Sequence, residues 1–482
     1  MNCLAPSEMK SLRVKVTRGS GRSLAASLRA RREARLSPQS AVLVLGAGCA
    51  LSVSGSASAQ GTSVINTYTF SPDSFSTLVT PALSPDYTRG HNVSALEEWQ
   101  PDYAPPGAPI GSFVLHPQAT LGVVADNNVY ANDANRKADI STVLKPSAMI
   151  QSDWSRHMLQ LQVSGDFRRY ATQLPRNQNS WSVQPAGEIN LGKNLVVHLE
   201  AQAGRYYESP FSSDLNPQDQ VLSNFFGVGG LAKVTYNGGR SRFTFAYDHE
   251  GFDFATLRFQ DGTTTDQRYR NRAVNRISAQ GEYGISPSLA VFVAAAADKT
   301  HYTVGQNAVT PPLSSTGQNF ITGISFDLTG VMRGSVGVGY SHRDYDASSY
   351  KGVGAFSAQF RVDFFPYRLT TVSLLGQRLI QDSGLGSTPY VDTRITAEVD
   401  QSLRRNLFLI GTVSAARQSY SGISQSRSLE QVQATLRYQA SRWLGFQAEA
   451  SYKTSKYASP VPNVQTGNYS DATLGLSVTV RR

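Results

Sequence analysis

The stretch "QVQATLRYQASRWLGFQAEASYK" (431–453) alternates apolar and polar residues in steps of two on both sides of a short break. The apolar series is Val432, Ala434, Leu436 and Tyr438 before Ser441-Arg442-Trp443, and Leu444, Phe446, Ala448, Ala450 and Tyr452 after it. Because successive side chains of a strand point to opposite faces, each run predicts a β-strand with one apolar and one polar face. In a soluble protein water would cover the polar face, whereas in a membrane barrel lipid would cover the apolar face and water would fill the inside.

The same alternation recurs from Gly111 to the last residue. Examples are "LQLQVSGDF" (159–167), "LVVHLEAQA" (195–203), "AFSAQFRVDFF" (355–365) and "DATLGLSVTV" (471–480). The connections between such segments alternate between short and long, with eight short and nine long. Short turns on one side and longer loops on the other are typical of outer-membrane barrels. The sequence therefore predicts an all-β fold, a transmembrane antiparallel up-and-down β-barrel of about 18 strands over residues 111–482.

Turn-forming residues mark the predicted short connections. They fall near 155–156, 192–194, 237–239, 286–288, 329–330, 366–367, 404–406 and 441–442. The predicted long connections are 127–138, 171–179, 210–223, 255–267, 304–315, 344–351, 383–389, 422–426 and 458–468. Both ends of the predicted barrel then lie on the short-turn side.

A soluble β-sandwich is the alternative for an alternating all-β chain. Such a fold buries its apolar faces in one core, which calls for Leu, Ile, Val and Phe, whereas the apolar face here is often Ala, Gly, Val or Tyr. Closing the sheet around water instead pairs every strand edge and lets the apolar band face lipid. The pattern thus favours the barrel.

The first 59 residues have the order of a secretory signal peptide. Nine basic residues precede the neutral apolar stretch "AVLVLGAGCALSV" (41–53), and Ala57-Ser58-Ala59 then supplies small residues before a predicted cleavage between Ala59 and Gln60. A retained membrane helix and a lipid-modified Cys49 are the alternatives. The apolar core is shorter than the ~20 residues that span a bilayer.

Removing this leader changes what the composition implies. The leader carries nine of the basic residues and two acidic ones, so its loss lowers the formal net charge from +10 to +3. The sequence pI of 9.5 is then no argument for nucleic-acid binding. Both cysteines, Cys3 and Cys49, also leave with the leader, so the mature chain has no disulfide and no thiolate chemistry. We expect no cofactor.

Residues 60–110 lack the alternation. The segment is irregular, contains Pro and Ser, and ends in "PDYAPPGAPIG" (101–111). It is predicted to be a flexible Pro-containing periplasmic segment ahead of the barrel.

The polar face of the predicted strands carries charges of both signs. If lipid covers the apolar series, the residues that point inward and are candidates to line a pore are Arg168, His198, Glu200, Arg242, Asp248, Arg276, Glu282, Arg361, Asp363, Arg437, Glu449 and Lys453. Mixed charge favours passage of polar neutral solutes, with selectivity set by local rings of charge. The alternative for any one residue is a structural ion pair that cross-links neighbouring strands.

No catalytic or metal-binding motif is present. The sequence contains no G-x-S-x-G, H-E-x-x-H or phosphate-binding loop pattern. His249, His301 and His342 are predicted toward the long-loop ends, near Asp248, Asp298 and Asp344, and this region is where a hydrolase site would lie if there were one. We expect no enzyme activity, no catalytic residue and no metal site.

Several segments resemble the outer-membrane family called beta-barrel porin type two. They are "GSFVLHPQATLGVVADNNVY" (111–130), "SDWSRHMLQLQVSGDFRRY" (152–170), "RGSVGVGYSHRDYD" (333–346), "LTTVSLLGQRLIQDS" (369–383) and "RRNLFLIGTVSAARQSYSG" (404–422). The resemblance covers residues 111–482. It implies an outer-membrane barrel and an association with export of envelope polysaccharide, and it brings no catalytic residues.

These features predict a porin or conduit for polar solutes in the outer membrane of a Gram-negative-type envelope, with sugar or polysaccharide export as a possible role. The alternatives are a structural or assembly barrel plugged by residues 60–110 and an outer-membrane hydrolase. The partners expected are outer-membrane lipid, the barrel-assembly machinery and periplasmic export proteins that bind residues 60–110, with no nucleic acid.

Overall fold

The structure is a computed structural model of the chain. It describes residues 92–98, 100–133, 135–209, 221–259, 261–305, 310–381, 389–422, 424–458 and 468–482. The predicted leader, its cleavage point and residues 60–91 lie outside the described residues.

Eighteen long strands make up nearly all of the regular structure. They are β1 (Phe113–Asp126), β2 (Asp139–Ser152), β3 (Met158–Tyr170), β4 (Gln178–Leu191), β5 (Leu195–Tyr207), β6 (Asn224–Gly238), β7 (Ser241–Phe254), β8 (Arg272–Ser286), β9 (Leu289–Tyr302), β10 (Ser315–Leu328), β11 (Met332–Tyr345), β12 (Val353–Tyr367), β13 (Thr370–Gln381), β14 (Tyr390–Arg404), β15 (Leu407–Tyr420), β16 (Ser426–Gln439), β17 (Leu444–Tyr457) and β18 (Tyr469–Arg481). Their lengths run from 12 residues in β13 to 15 in β6.

The strands close into one antiparallel barrel. Each pairs with its neighbours in sequence, and β18 pairs with β1 from Gln118 opposite Arg481 to Asp126 opposite Thr473. Closure leaves no free edge among the long strands, as a sheet surrounded by lipid requires. The predicted fold class and the strand count of eighteen are confirmed.

The connections alternate in length as predicted. Gly192, at positive φ, begins the three-residue turn from β4 to β5, and Gly239, also at positive φ, begins the turn from β6 to β7. One short turn lies slightly later than predicted, after Tyr367 rather than at it. There the pairing of β12 with β13 shifts register between Phe364 and Tyr367, and this bulge extends β12 beyond the proline.

The opening stretch shows which face is which. Leu436 is 41% exposed and Tyr438 43% exposed on the outer face of β16, whereas Thr435 is 1% exposed and faces the interior. On most other strands the outer face likewise presents Leu, Val, Ile, Phe and Tyr, and the inner face presents Ser, Thr, Gln and charged residues, whereas β9 buries Ala290 and Phe292 on its inner face. The apolar series therefore surrounds the barrel and the polar series fills it.

Short strands and 3-10 turns lie at the ends of the barrel. Ala108–Ile110 forms a short strand on the start of β1, and Leu257–Arg258 pairs with Thr264–Thr265 in the connection from β7 to β8. Single 3-10 turns lie at Leu174–Arg176 and Arg268–Arg270. In the part of the chain that the structure describes, no helix has the length and apolar character to cross a membrane.

Candidate functional site in the barrel interior

The twelve candidate pore-lining residues all lie on the inner series of their strands. Arg168 is on β3, His198 and Glu200 on β5, Arg242 and Asp248 on β7, Arg276 and Glu282 on β8, Arg361 and Asp363 on β12, Arg437 on β16, and Glu449 and Lys453 on β17. Period-two alternation therefore gave their orientation correctly. Whether they line an open channel stays a prediction.

Several of these charges pair across neighbouring strands. Arg276 lies directly opposite Asp248 in the register of β7 and β8, and their side chains are 3.3 Å apart. Arg242 and Glu282, also directly opposite each other, are 3.6 Å apart. Opposite charges in facing positions stabilise a strand pair. This part of the wall is thus cross-linked as well as polar.

Sequence reasoning missed a further ion pair on this side of the barrel. Arg343 of β11 reaches Asp298 of β9 at 2.7 Å, across the intervening strand β10. The approach passes Gly317, which lies opposite Asp298 and has no side chain to block it. The alternation is weak in "AAAADKTHY" (294–302), so only the parity of Asp298 and Arg343 could have indicated that both face inward.

Glu250 was also missed. This β7 carboxylate is fully buried on the inner face, and neither oxygen has a hydrogen-bond partner among the described residues. Val274 of β8 lies opposite it, so Arg272 and Arg276 occupy the two diagonal positions. Their positive charges oppose the cost of burying this carboxylate without cancelling it.

A second group of charges lies on β11 and β12 toward the short-turn end. Arg333 Nε donates to Asp363 at 2.9 Å, and Arg361 Nε lies 3.4 Å from the same carboxylate. Ser373 of β13 donates to the other Asp363 oxygen at 2.9 Å. Asp363 is thus held from three strands.

Arg333 also binds the segment that precedes the barrel. Its Nη1 donates to the Asn92 carbonyl oxygen at 3.0 Å, and its Nη2 pairs with Glu97 at 3.0 Å. The Asn92 side chain donates to the inward-facing Asp327 at 2.6 Å and to the Leu328 carbonyl at 2.9 Å. A buried arginine therefore bridges the wall and the segment.

The same segment continues along the inner rim. The Ala95 amide donates to Thr371 Oγ1 of β13, and Arg442 and Arg481 donate to the carbonyls of Asp102 and Tyr103. Residues 92–98 and 100–103, which we call the rim segment, thus follow the short-turn opening from β10 round to β18 before Ala108–Ile110 joins β1. The prediction of a flexible segment did not include these contacts, because they join positions hundreds of residues apart that no local pattern marks.

The ion pair of Arg368 with Glu98 differs from the other contacts of the rim segment because it is exposed to solvent. Arg368 pairs with Glu98 at 2.7 Å, but its guanidinium is 85% exposed. The hydrogen bond that Arg368 donates to Glu98, and then the negative charge of Glu98, raise the pKa of Arg368. An exposed pair of this type contributes little to stability.

At the long-loop end, arginines stack on aromatic rings inside the wall. The Arg270 guanidinium lies 4.1 Å from the Phe254 ring centroid and binds both Glu208 oxygens, at 2.6 and 2.8 Å. Arg272 lies 4.3 Å from the Phe252 ring. Each of these side chains is buried, so the cluster fixes Glu208, the first residue after β5, against Arg270.

A second arginine cluster lies across the barrel. Arg427 Nη2 donates to the Tyr469 hydroxyl at 2.7 Å and its Nε to Ser455 Oγ at 2.8 Å. Ala131, from the loop after β1, packs with Leu429 and Tyr469. This loop therefore folds against the inner face.

Burial raises the pKa of the loop residue Tyr130, whose hydroxyl donates to Gln173.

The three histidines considered for a hydrolase do not gather with the three carboxylates into one site, since only His342 contacts its carboxylate among the described residues. His249, His301 and His342 lie on the outer series of β7, β9 and β11, whereas Asp248 and Asp298 face inward. His249 Nδ1 is 2.9 Å from Asn275 Oδ1, and His342 Nε2 is 3.0 Å from the exposed Asp344. The described residues also contain no group of three His, Cys, Asp or Glu side chains arranged to hold a metal ion. Strand parity therefore separates His249 and His301 from Asp248 and Asp298, and it leaves His342 beside Asp344 on the outer face.

Comparison with known proteins gives one family and several solved structures. The family model described as "Putative beta-barrel porin 2" matches residues 100–482. Pseudomonas aeruginosa OccK2 (OpdF) is 12% identical with a TM-score of 0.42, covering 77% of this chain and 98% of that one. Acinetobacter baumannii OccAB3 is 10% identical with a TM-score of 0.43, covering 77% of this chain and 100% of that one. No curated protein matches the sequence.

Proposed function

Because this chain belongs to the beta-barrel porin 2 family, we propose that it is a passive conduit for polar solutes across the outer membrane of a Gram-negative-type envelope. Its family and fold are those of channels rather than enzymes. The observation that supports conduction is the inner face of an eighteen-strand barrel, which carries buried polar and charged side chains on most strands. Barrels of 16 to 18 strands leave an aqueous channel.

The balance of inward charge bears on selectivity. Among the twelve candidate pore-lining residues, six are Arg or Lys, five are Asp or Glu, and one is His198. Neither sign dominates, so the proposed conduit favours polar neutral solutes over ions of one charge. Sugars are polar neutral solutes of this kind. A polysaccharide is a chain of sugars, so we include polysaccharide export in the same proposal.

Single-channel recording tests conduction directly. Purified protein added to a planar lipid bilayer should give stable stepwise increases in conductance, with a small difference between cation and anion permeability. Swelling of liposomes in neutral sugars of increasing size then reports which solutes pass. A folded protein that neither conducts nor permits swelling would contradict the proposal.

A second candidate function is a barrel narrowed or plugged at its periplasmic end by the rim segment. The observation that favours it is Arg333, which holds both Asn92 and Glu97 from the inner wall. Periplasmic export proteins that bind residues 60–110 would act on this segment. The barrel-assembly machinery and outer-membrane lipid are the other partners we propose.

Deletion of residues 60–103 separates the two candidates. If the rim segment plugs the barrel, the intact protein is silent in a planar bilayer and the deleted protein conducts. If it only lines the rim, both conduct, and the deleted form has the larger step. Equal steps from both forms would show that the segment does not narrow the conduit.

A further inference from the structure

One row of outward-facing residues crosses five neighbouring strands near the long loops. Strand register places Arg378 of β13 opposite Thr393, Thr393 opposite Arg417, Arg417 opposite Ser428, and Ser428 opposite Lys456 of β17. We call these five residues the basic row. Three cations thus alternate with two hydroxyl side chains at one level of the barrel.

The basic row is accessible from outside the barrel. Arg417, Ser428 and Lys456 are exposed, and Arg378 is half-buried with its Nη1 donating to Thr393 Oγ1 at 2.6 Å. Neighbouring strands lie about 4.8 Å apart, so successive cations of the row are separated by roughly 10 Å along the surface. No acidic residue belongs to the row.

The level of the row relative to the apolar band is also defined by register. One row deeper lie Gly376, Ile395, Ala415, Glu430 and Thr454. Two rows deeper, Leu374, Ala397, Val413, Val432 and Tyr452 are all apolar or aromatic. The basic row thus stands two rows from this apolar row, on its long-loop side.

The neighbouring arc of the barrel lacks this excess of positive charge. There, register aligns His249, Asn275, Lys299, Thr316 and Asp344 on β7 to β11. Lys299 and Asp344 balance each other. The row on β13 to β17 carries three positive charges. Together with the negative charge of Glu430, one row deeper, its net charge is +2.

We propose that the basic row is a docking surface for a phosphate-bearing lipid headgroup of the leaflet on the long-loop side. Arginine and lysine bind phosphate oxygens by charge-assisted hydrogen bonds, and Ser428 and Thr393 supply hydroxyl groups between them. The acyl chains then lie over the apolar residues two rows deeper. The charge and spacing of the row match an anionic headgroup.

Native mass spectrometry of the full-length mature protein tests this surface. The probe is phosphatidate in phosphatidylcholine nanodiscs, and diacylglycerol with the same acyl chains is the control that lacks the phosphate. Arg417→Gln and Lys456→Gln should each weaken phosphatidate binding about fivefold. Lys299→Gln, which removes one outward cation from the balanced row, is the matched control and should leave binding unchanged.

Glu430→Gln distinguishes electrostatic docking from a structural effect. Removing this carboxylate should strengthen phosphatidate binding by a similar factor, because it repels the headgroup from one row below. Raising the salt concentration should weaken binding by the native protein. Equal retention of diacylglycerol, or equal losses in Arg417→Gln and Lys299→Gln, would overturn the proposal. Channel conductance, which depends on the inner face, should be unchanged in all of these variants.

Discussion

At the scale of single residues, the solvent on each side of a strand decides what a substitution does. Leu436 projects from the outer face of β16, while Glu449 of β17 faces the interior and accepts a hydrogen bond from Gln447 at 3.2 Å. Both positions follow from the alternation of the sequence alone. The ion pairs between inward residues do not, because register between strands is set by contacts that a local pattern does not show.

Leu436→Asp and Glu449→Gln form a matched pair for the residue scale. Leu436→Asp places a charge against hydrocarbon and should lower the free energy of unfolding by about 2 kcal/mol. Glu449→Gln keeps the shape of the side chain in a wet interior, so it should leave stability unchanged and shift permeability toward anions. Urea unfolding in lipid vesicles measures the first effect and reversal potentials the second. A stable Leu436→Asp barrel would contradict the assignment of the outer face.

At the scale of elements, the strands and the rim segment differ in how far sequence predicts them. The strands repeat a period-two pattern interrupted by turn residues, so their number and most of their ends could be predicted. The bulge that carries β12 to Tyr367 lies beyond that pattern, because Pro366 is an ordinary turn signal. The position of the rim segment rests on Arg333, which faces it from a strand more than 200 residues away.

Two adjacent glutamates of the rim segment test its attachment. Glu97 pairs with the buried Arg333, whereas Glu98 pairs with the exposed Arg368. Glu97→Gln should therefore weaken the segment's docking by about 1 to 2 kcal/mol and speed amide hydrogen exchange at residues 92–98. Glu98→Gln should leave exchange unchanged, because solvent screens its partner. Equal exchange rates in the two variants would show that the pair of Glu97 with Arg333 does not hold the segment.

At the scale of the whole molecule, the alternation of connections gives the barrel two unlike ends. Eight connections of two to five residues and the rim segment lie at one end, and nine connections of five or more residues lie at the other. In outer-membrane barrels the short turns face the periplasm. Both the proposed periplasmic plug and the proposed lipid-docking surface depend on this orientation, so a direct test of it bears on each.

Labelling of single cysteines on intact cells decides the orientation. Loss of the predicted leader removes Cys3 and Cys49, which leaves a background without thiols. Ser348 is exposed in the connection from β11 to β12, and Lys193 is exposed in the short turn from β4 to β5. A membrane-impermeant maleimide should label Ser348→Cys on intact cells, and should label Lys193→Cys only after the outer membrane is opened. The two residues lie at opposite ends of one closed barrel. The reverse labelling pattern would therefore show that the protein has the opposite orientation in the membrane, with the rim segment at the cell surface.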